Sequence, residues 1–483
     1  MKTLKLLILG IFFMVSVDAN TNSNEVNVIM TTESVMFDPT LCKGYQQFQI
    51  INLYLDTLVR KDPKFGIISG IASKWDISED QREYVFTISP MARFHNGDQI
   101  KSLDIRFSFD RHLTANSPSV IGSFLNNVLS SIEIISDLQI KFKLKGSYPP
   151  FLELLSMPGY GIISSKSTPN EIIGSGPFLQ SGIKDKQVCL KKNEKYPFET
   201  TNIKSFCIKI ERDVESTLNS LNAGKTQIAM GSPLEVALSE KLKSELVSHP
   251  TFSLVSTHIY LNHNSSFLKK KSNRQLIKQI ALNARNKTSI LTKFDFPLDT
   301  FIPNGIMPES YYKNSNTISN SIKLDKQKQK LRIVFPYGIF LESSVKTVVS
   351  EFEKSGFEVS YLNVKGKDLL TPIQSGDFDL IFIPYQGVIP DPDGYLDLLN
   401  EDSLMKKASI PSSKLLKAID SIRFTKNRSD RLSKYSKLLN DFEKEVHVIP
   451  FSQNSIPVVY NNKLMLPNLN YSFHLNLREL NLK

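Results

Sequence analysis

Leu331-Arg332-Ile333-Val334-Phe335, Phe357-Glu358-Val359-Ser360-Tyr361-Leu362-Asn363-Val364 and Leu380-Ile381-Phe382-Ile383 are the segments on which the fold turns. The last is a continuous apolar run, the composition of a strand buried on both faces. Between the first two, Val345, Val348, Val349 and Phe352 recur at helical spacing and mark one face of a helix. Strand, helix, strand in this order predicts an α/β unit with a largely parallel sheet. Upstream, Leu276, Ile277, Ile280, Ala281 and Ala284 form another amphipathic helix. Downstream, Leu432, Tyr435, Leu438, Leu439 and Phe442 give the inward face of a last helix, and Ile449 to Tyr460 reads as a strand.

Towards the amino terminus the period changes. From Asn27 to about Leu254 the chain is mostly strand: Tyr84-Val85-Phe86-Thr87-Ile88 and Gln139-Ile140-Lys141-Phe142-Lys143-Leu144 alternate with period two. The second of these follows Ile132-Glu133-Ile134-Ile135 through a Ser136-Asp137 turn. One helix interrupts, with Ser102 as its expected N-cap, Asp104 in the first turn and Ile105, Phe109 and Leu113 along one face. The chain therefore reads as two-lobed, and its 483 residues at 41% hydrophobic content suffice for two or three domains. The net charge of +11 is spread over scattered lysines rather than a basic block, which argues against nucleic acid as a partner. The lysine-rich stretch 323–330 reads as a surface connection within the second lobe.

Residues 1–19 carry Lys2 and Lys5, an uncharged run from Leu6 to Val17, and Val17-Asp18-Ala19 with small residues where a signal peptidase reads. This predicts a cleaved secretory signal, and no later run approaches the roughly 20 apolar residues a membrane span needs, so the mature protein is expected to be soluble. The first cysteine is Cys42, not a residue directly after the apolar run, which predicts release rather than lipid anchoring. Cys189 and Cys207 lie in the strand-like runs Val188-Cys189-Leu190 and Phe206-Cys207-Ile208. They either pair across neighbouring strands, leaving Cys42 free, or all three are buried thiols.

No catalytic constellation assembles. The seven histidines contain no i, i+4 pair around a glutamate, and no G-x-S-x-G elbow occurs. Ala223-Gly224-Lys225-Thr226 has the end of a phosphate loop, but Asn219 stands where the first glycine should fall. Asp391-Pro392-Asp393-Gly394 has a proline in its second position and a misplaced Asp397, so it reads as a turn rather than a calcium loop. The expectation is a protein that is not an enzyme, with no metal and no cofactor.

Several segments, in order, resemble the extracellular solute-binding proteins of family 5, which serve peptide and nickel ABC transporters. They are Phe37-Asp38-Pro39 with Asn52-Leu53-Tyr54-Leu55-Asp56-Thr57-Leu58-Val59, then Ile71-Ala72-Ser73-Lys74-Trp75-Asp76-Ile77-Ser78 and the Tyr84 strand. Ala92-Arg93-Phe94-His95-Asn96-Gly97-Asp98 and Gly174-Ser175-Gly176-Pro177-Phe178 follow. Asn273-Arg274-Gln275-Leu276, Gly376-Asp377-Phe378-Asp379 and Pro390-Asp391-Pro392 complete a resemblance that covers residues 26 to 465.

This resemblance implies the two-lobed periplasmic binding protein fold of the class II type, α/β with mixed sheets and helices and a ligand cleft between the lobes. It implies a first lobe over 20–255, with a strand-rich subdomain at about 45–165, a second lobe over 256–449, and a return over 450–483. It also implies a small-solute ligand, peptide by family default, a monomer in the periplasm, and delivery to an inner-membrane permease; the alternative is a non-transport peptide chaperone or sensor of the same fold. The carboxyl-end loop Tyr385-Gln386-Gly387-Val388-Ile389-Pro390, where ligands sit in open α/β sheets, is one expected wall. His258, Tyr260 and Asn262 in the first crossing are a second, and the segment containing Cys42 a third. Tyr385, Gln386, Val388 and Asp391 complete the expected ligand set. The aspartate that meets a peptide's amino terminus in the peptide-binding members is replaced by Val388, so either Asp391 or another acid substitutes, or the ligand presents no free amino terminus there.

Overall fold

The computed structural model describes residues 24–32, 34–62, 66–114, 116–119, 121–184, 186–198, 201–231, 234–287, 295–313, 329–337, 340–387, 389–396, 413–466 and 476–483. The expected signal segment 1–19 and most of the lysine-rich stretch lie outside these residues. Among them, no helix is long and apolar enough to cross a membrane. The strands that matter for function are β1 (Glu25–Met30), β2 (Ala72–Ile77), β3 (Glu83–Ile88), β4 (Leu129–Ser136), β5 (Gln139–Leu144), β6 (Phe178–Lys184), β7 (Gln187–Lys192) and β8 (Ser205–Ile210). They continue as β9 (Ile228–Met230), β10 (Leu246–Leu261), β11 (Asp295–Pro297), β12 (Gln329–Pro336), β13 (Phe357–Val364), β14 (Leu380–Gln386) and β15 (Val448–Asn461). The helices are α1 (Tyr45–Tyr54), α2 (Ser102–Leu113), α3 (Lys271–Arg285), α4 (Glu342–Lys354), α5 (Ser413–Arg423) and α6 (Arg428–Lys444).

One sheet runs through both lobes in the order β13-β12-β14-β10-β15-β9-β1-β8-β7-β6, with β11 also paired to β15. In the second lobe β12 is parallel to β13 and β14; in the first, β1 is parallel to β8 and β9. The two halves meet on β10 and β15, an antiparallel pair that extends from Leu246 opposite Asn461 to Tyr260 opposite Val448. Its register breaks between Thr251 and Val255 and again between Thr257 and His258. Such irregularities bend a strand and increase its twist, which lets one ladder serve two differently oriented lobes.

Burial explains the apolar runs that identified the second lobe. Leu380 and Phe382 pack on one face with Ile333, Phe335, Val345 and Phe352, whereas Ile381 and Ile383 pack on the other with Val334, Tyr435 and Leu439. Helices cover both faces, so alternation of polar and apolar residues is lost. The strand-rich part is a separate four-stranded antiparallel sheet, β2-β3-β5-β4. Its core stacks Phe86 edge-on against Phe142 at 5.6 Å, with Phe109 of α2 beside them.

Ser102 differs from its expected role. It is the first helical residue of α2, its hydroxyl donating to the Ser136 carbonyl, and the N-cap is Lys101, whose backbone N–H donates to Asp104 Oδ2 at 3.0 Å. The acidic residue three positions along satisfies the cap amide, so no hydroxyl is needed there.

Of the two readings of the cysteines, the structure has the disulfide. Cys189 and Cys207 stand opposite each other on β7 and β8 and are joined, while Cys42 is a buried free thiol. Burial pushes the Cys42 thiol up to about 12, leaving it un-ionised and poorly nucleophilic. The disulfide closes a span of 18 residues. In the chain-entropy account, opening a loop of this size costs about 3 kcal/mol, so Cys189→Ser with Cys207→Ser is expected to lower the denaturation free energy by that amount. A thiol reagent should label Cys42 only on unfolding.

Candidate ligand site between the two lobes

Sheet direction places the site. β9 ends at Met230 opposite Val458, and β14 ends at Gln386 opposite Val255, which itself faces Asn454. The carboxyl ends of the parallel strands of both lobes thus converge on one stretch of the crossing ladder, separated by four residues of β15, or about 13 Å along it. Loops at these ends form opposing walls, as open α/β sheets place their ligands.

The floor is polar where the strands around it are apolar. Ser256, Thr257 and Ser452 are fully buried, with Gln453 and Asn454 nearly so. Thr257 Oγ1 donates to Asn454 Oδ1 at 2.7 Å, and Asn454 Nδ2 donates to Asp295 Oδ1 at 2.7 Å. Gln453 Oε1 accepts from the Asn304 amide at 3.1 Å. Burying so many polar groups is tolerable only because each finds a partner. This row escaped the sequence reading, although Ser452-Gln453-Asn454-Ser455 inside the apolar run Ile449 to Tyr460 was the available signal.

The expected site residues fall in three places. Tyr385 pairs with Ser256 across the ladder, so it flanks the floor; its hydroxyl donates to the Gly394 carbonyl at 3.0 Å and its ring meets Tyr395 edge-on at 5.8 Å. The next turn of the loop needs glycine at position 387, because a side chain there would collide with the Tyr395 ring. Gln386 is described in its backbone, opposite Val255, and Val388 lies outside the described residues.

His258 and Tyr260 enter the second lobe instead of lining an open surface. His258 is fully buried, its Nε2–H donating to the Phe301 carbonyl at 2.9 Å, and burial pushes its pKa down to about 4. A neutral ring with its Nε2 proton committed is a fastener between β10 and the segment after β11. Tyr260 is also buried, among Phe301, Tyr311, Ile381 and Tyr395, with a hydroxyl held neutral by burial. Asn262 lies beyond the opposite end of β14 from Tyr385, since its neighbour Leu261 pairs with Leu380. Its amide donates to the Gly376 and Phe378 carbonyls, closing the turn that begins β14. Five residues of strand separate these pairings, about 17 Å, so Asn262 and Tyr385 are not brought together. Cys42 sits in the first-lobe core, its Sγ near the Asp38 carbonyl at 3.5 Å.

Asp391 is engaged within the protein. Arg431, fully buried on α6, forks onto both Asp391 oxygens and also reaches Asp393 at 3.4 Å. Tyr435 donates to Asp393 Oδ1 at 2.6 Å, and Arg423 lies 3.5 Å from the same oxygen. A buried guanidinium must be paired, so the carboxylate that sequence offered to a ligand ammonium is committed to Arg431.

Comparison with known proteins agrees with this architecture. The sequence model of the bacterial extracellular solute-binding proteins, family 5 Middle, matches residues 66–406. Di/tripeptide-binding protein 3 of Pseudomonas aeruginosa is 22% identical over 445 residues, covering 80% of this chain and 81% of that protein. The dipeptide-binding protein of Escherichia coli is 22% identical over 380 residues, covering 69% of this chain and 70% of its own. Among solved structures, the periplasmic binding protein DppA from Helicobacter pylori in complex with peptide STSA superposes with a TM-score of 0.78 at 19% identity, over 95% of this chain and 98% of that one. NikA from Brucella suis in complex with Fe(III)-EDTA superposes with a TM-score of 0.79 at 18% identity, over 95% and 100%.

Two outcomes follow from the charges. Arg431→Met leaves Asp391 and Asp393 buried without their main cation, and is expected to cost about 3–5 kcal/mol in denaturant unfolding. His258 ionises near 4 in the native protein but near 6.5 when unfolded, so between those values the unfolded chain binds more protons. Native stability should therefore fall as pH drops from about 6.5 to 4, by about 3 kcal/mol from this residue. His258→Gln should flatten that part of the stability profile.

Proposed function

The chain belongs to family 5 of the bacterial extracellular solute-binding proteins, a family of binding proteins, and from this we propose that it captures a peptide between its lobes and delivers it to an inner-membrane ABC permease. The convergence of parallel-strand ends from both lobes on the polar centre of β10 and β15 carries this reading, and the names of its peptide-binding relatives supply the ligand class. Lobe boundaries at 255/256 and 449/450 are supported by the position of Ser256 and Pro450 on the crossing ladder, opposite Gln453 and His258. In this reading residues 1–19 are removed on export, and the mature chain is a soluble, unlipidated periplasmic monomer that neither catalyses a reaction nor binds nucleic acid.

Tyr385 and the loop through Gln386 and Val388 touch the ligand, with His258, Tyr260 and Asp391 holding the wall from behind; Asn262 fixes the far end of β14, and Cys42 serves the first-lobe core rather than the ligand. Ligand bound by both lobes favours the closed form by as much as that form binds it more tightly than the open one, a difference that contacts from both lobes supply. With valine at position 388, Asp391 held by Arg431 and the floor carboxylate Asp295 already accepting from Asn454, the peptide's amino terminus is met by neutral acceptors.

Native mass spectrometry of protein purified from its own periplasm should show bound peptides, and calorimetry with an equimolar mixture of di- and tripeptides should give saturable binding. Absence of both overturns the reading. Acetylating the peptide amino terminus should change affinity by less than about threefold, whereas loss of an ammonium–carboxylate pair would cost about 2–5 kcal/mol. Tyr385→Ala should weaken binding by about tenfold or more, an effect read by the same calorimetry.

A further inference from the structure

The lobes also touch away from the cleft. Gly146 follows β5 in the strand-rich subdomain, and a β-carbon there would lie 2.6 Å from Cγ and 2.8 Å from Cβ of Phe424, which follows α5 in the second lobe. Gly146 is not among the glycines with positive φ, so its lack of a side chain provides space rather than backbone freedom. Tyr148, two residues on, is fully buried, its hydroxyl has no partner among the described residues, and its ring lies 5.9 Å from the Arg431 guanidinium. Ile389, from the loop after β14, is buried in the subdomain's own apolar cluster with Tyr84, Phe142 and Tyr148. Beside this contact Lys426 borders a cavity of about 720 Å³ together with Glu79, Asp80 and Glu83.

We propose that residues 146–148 of the subdomain and the α5–α6 turn around Phe424, with Arg431 behind it, form a closure contact that sets ligand affinity from outside the cleft. Gly146, Tyr148, Phe424 and Arg431 are positioning residues in this scheme. It rests on the two-lobe capture mechanism but not on the ligand being a peptide. The contact joins elements of different lobes, so it exists only while they are together. Separation uncovers Tyr148, Phe424 and Ile389, whereas closure covers them without any help from ligand. Apparent affinity scales with the fraction of protein able to close, so weakening this patch weakens binding by the same factor with the cleft unchanged. Arg431 links the two sites, because it holds Asp391 on the cleft loop and faces Tyr148 across the contact.

Gly146→Ala is the direct test, since the three atoms nearest the new methyl, all within 2.8 Å, belong to Phe424, so it cannot be accommodated with the lobes together. The expected result has three parts: a larger ligand-free radius of gyration by small-angle scattering, at least about tenfold weaker binding of the di- and tripeptide mixture, and a ligand-free melting temperature within about 2 °C of the parent. Adding Phe424→Gly, which removes the Cβ as well as the ring, to Gly146→Ala should restore compaction, and Tyr148→Phe should behave as the parent because the hydroxyl makes no bond. Unchanged scattering and affinity in Gly146→Ala overturn the proposal. So does a weakened affinity that comes with a lowered melting temperature and an unchanged radius, because that is the signature of a merely structural residue. If the parent binds no peptide in the mixture but Gly146→Ala is still expanded relative to it, the closure contact stands and the peptide assignment fails.

Discussion

The ladder between β10 and β15 is the constraint on which the rest of the molecule depends. Both strands belong to both lobes, so every parallel strand on either side is oriented by its pairing to this one antiparallel pair. Because β9 and β14 approach it from opposite ends with their carboxyl termini inward, the loops that can bind are forced to face each other. The ladder is continuous on either side of its irregularities after Thr251 and Thr257, where such breaks bend a strand and increase its twist. That combination lets one ladder join two halves that each keep their own core.

A second constraint is the buried ion cluster of Arg431, Asp391, Asp393 and Arg423. Four charges with almost no solvent contact are costly unless each is paired, and their mutual attraction only offsets that cost when the geometry is close. A cluster of this kind adds little net stability over apolar residues of the same volume. What it does is fix the loop that carries Ile389 and Asp391 relative to α5 and α6 in a single arrangement, because any displacement leaves a buried charge unpaired. Gly387 against Tyr395 and the Tyr385 hydroxyl against Gly394 serve the same loop by close packing.

Similar scaffolds hold different guests. Superposable chains are known in complex with peptide STSA and with Fe(III)-EDTA, at sequence identities of 19% and 18%. The fold supplies the scaffold, while side chains at the strand ends choose what fits. In this chain those ends carry Tyr385 and a row of neutral amides and hydroxyls, with Asp295 bonded to Asn454 and Asp391 to Arg431.

Local pattern was enough for the elements and for the class of fold. The continuous apolar run Leu380–Ile383 stood out because helices cover both faces of its strand, and the stripes in α3, α4 and α6 stood out because each helix covers one face. The order of those elements, together with the family motifs, then identified two α/β lobes and pointed to the Tyr385 loop. Tertiary structure alone decided the state of the side chains. Whether Asp391 faces a ligand or Arg431, 40 residues away, depends on how α6 packs against the loop. Asn262 and Tyr385 both flank strands that pair with each other, yet lie at opposite ends because the pairing is antiparallel. The contact of Gly146 with Phe424 likewise has no trace in either local sequence. Periodicity records which side of an element is buried; it carries no information about the distant group that buries it, and in this protein that group determines which polar residues are left for a ligand.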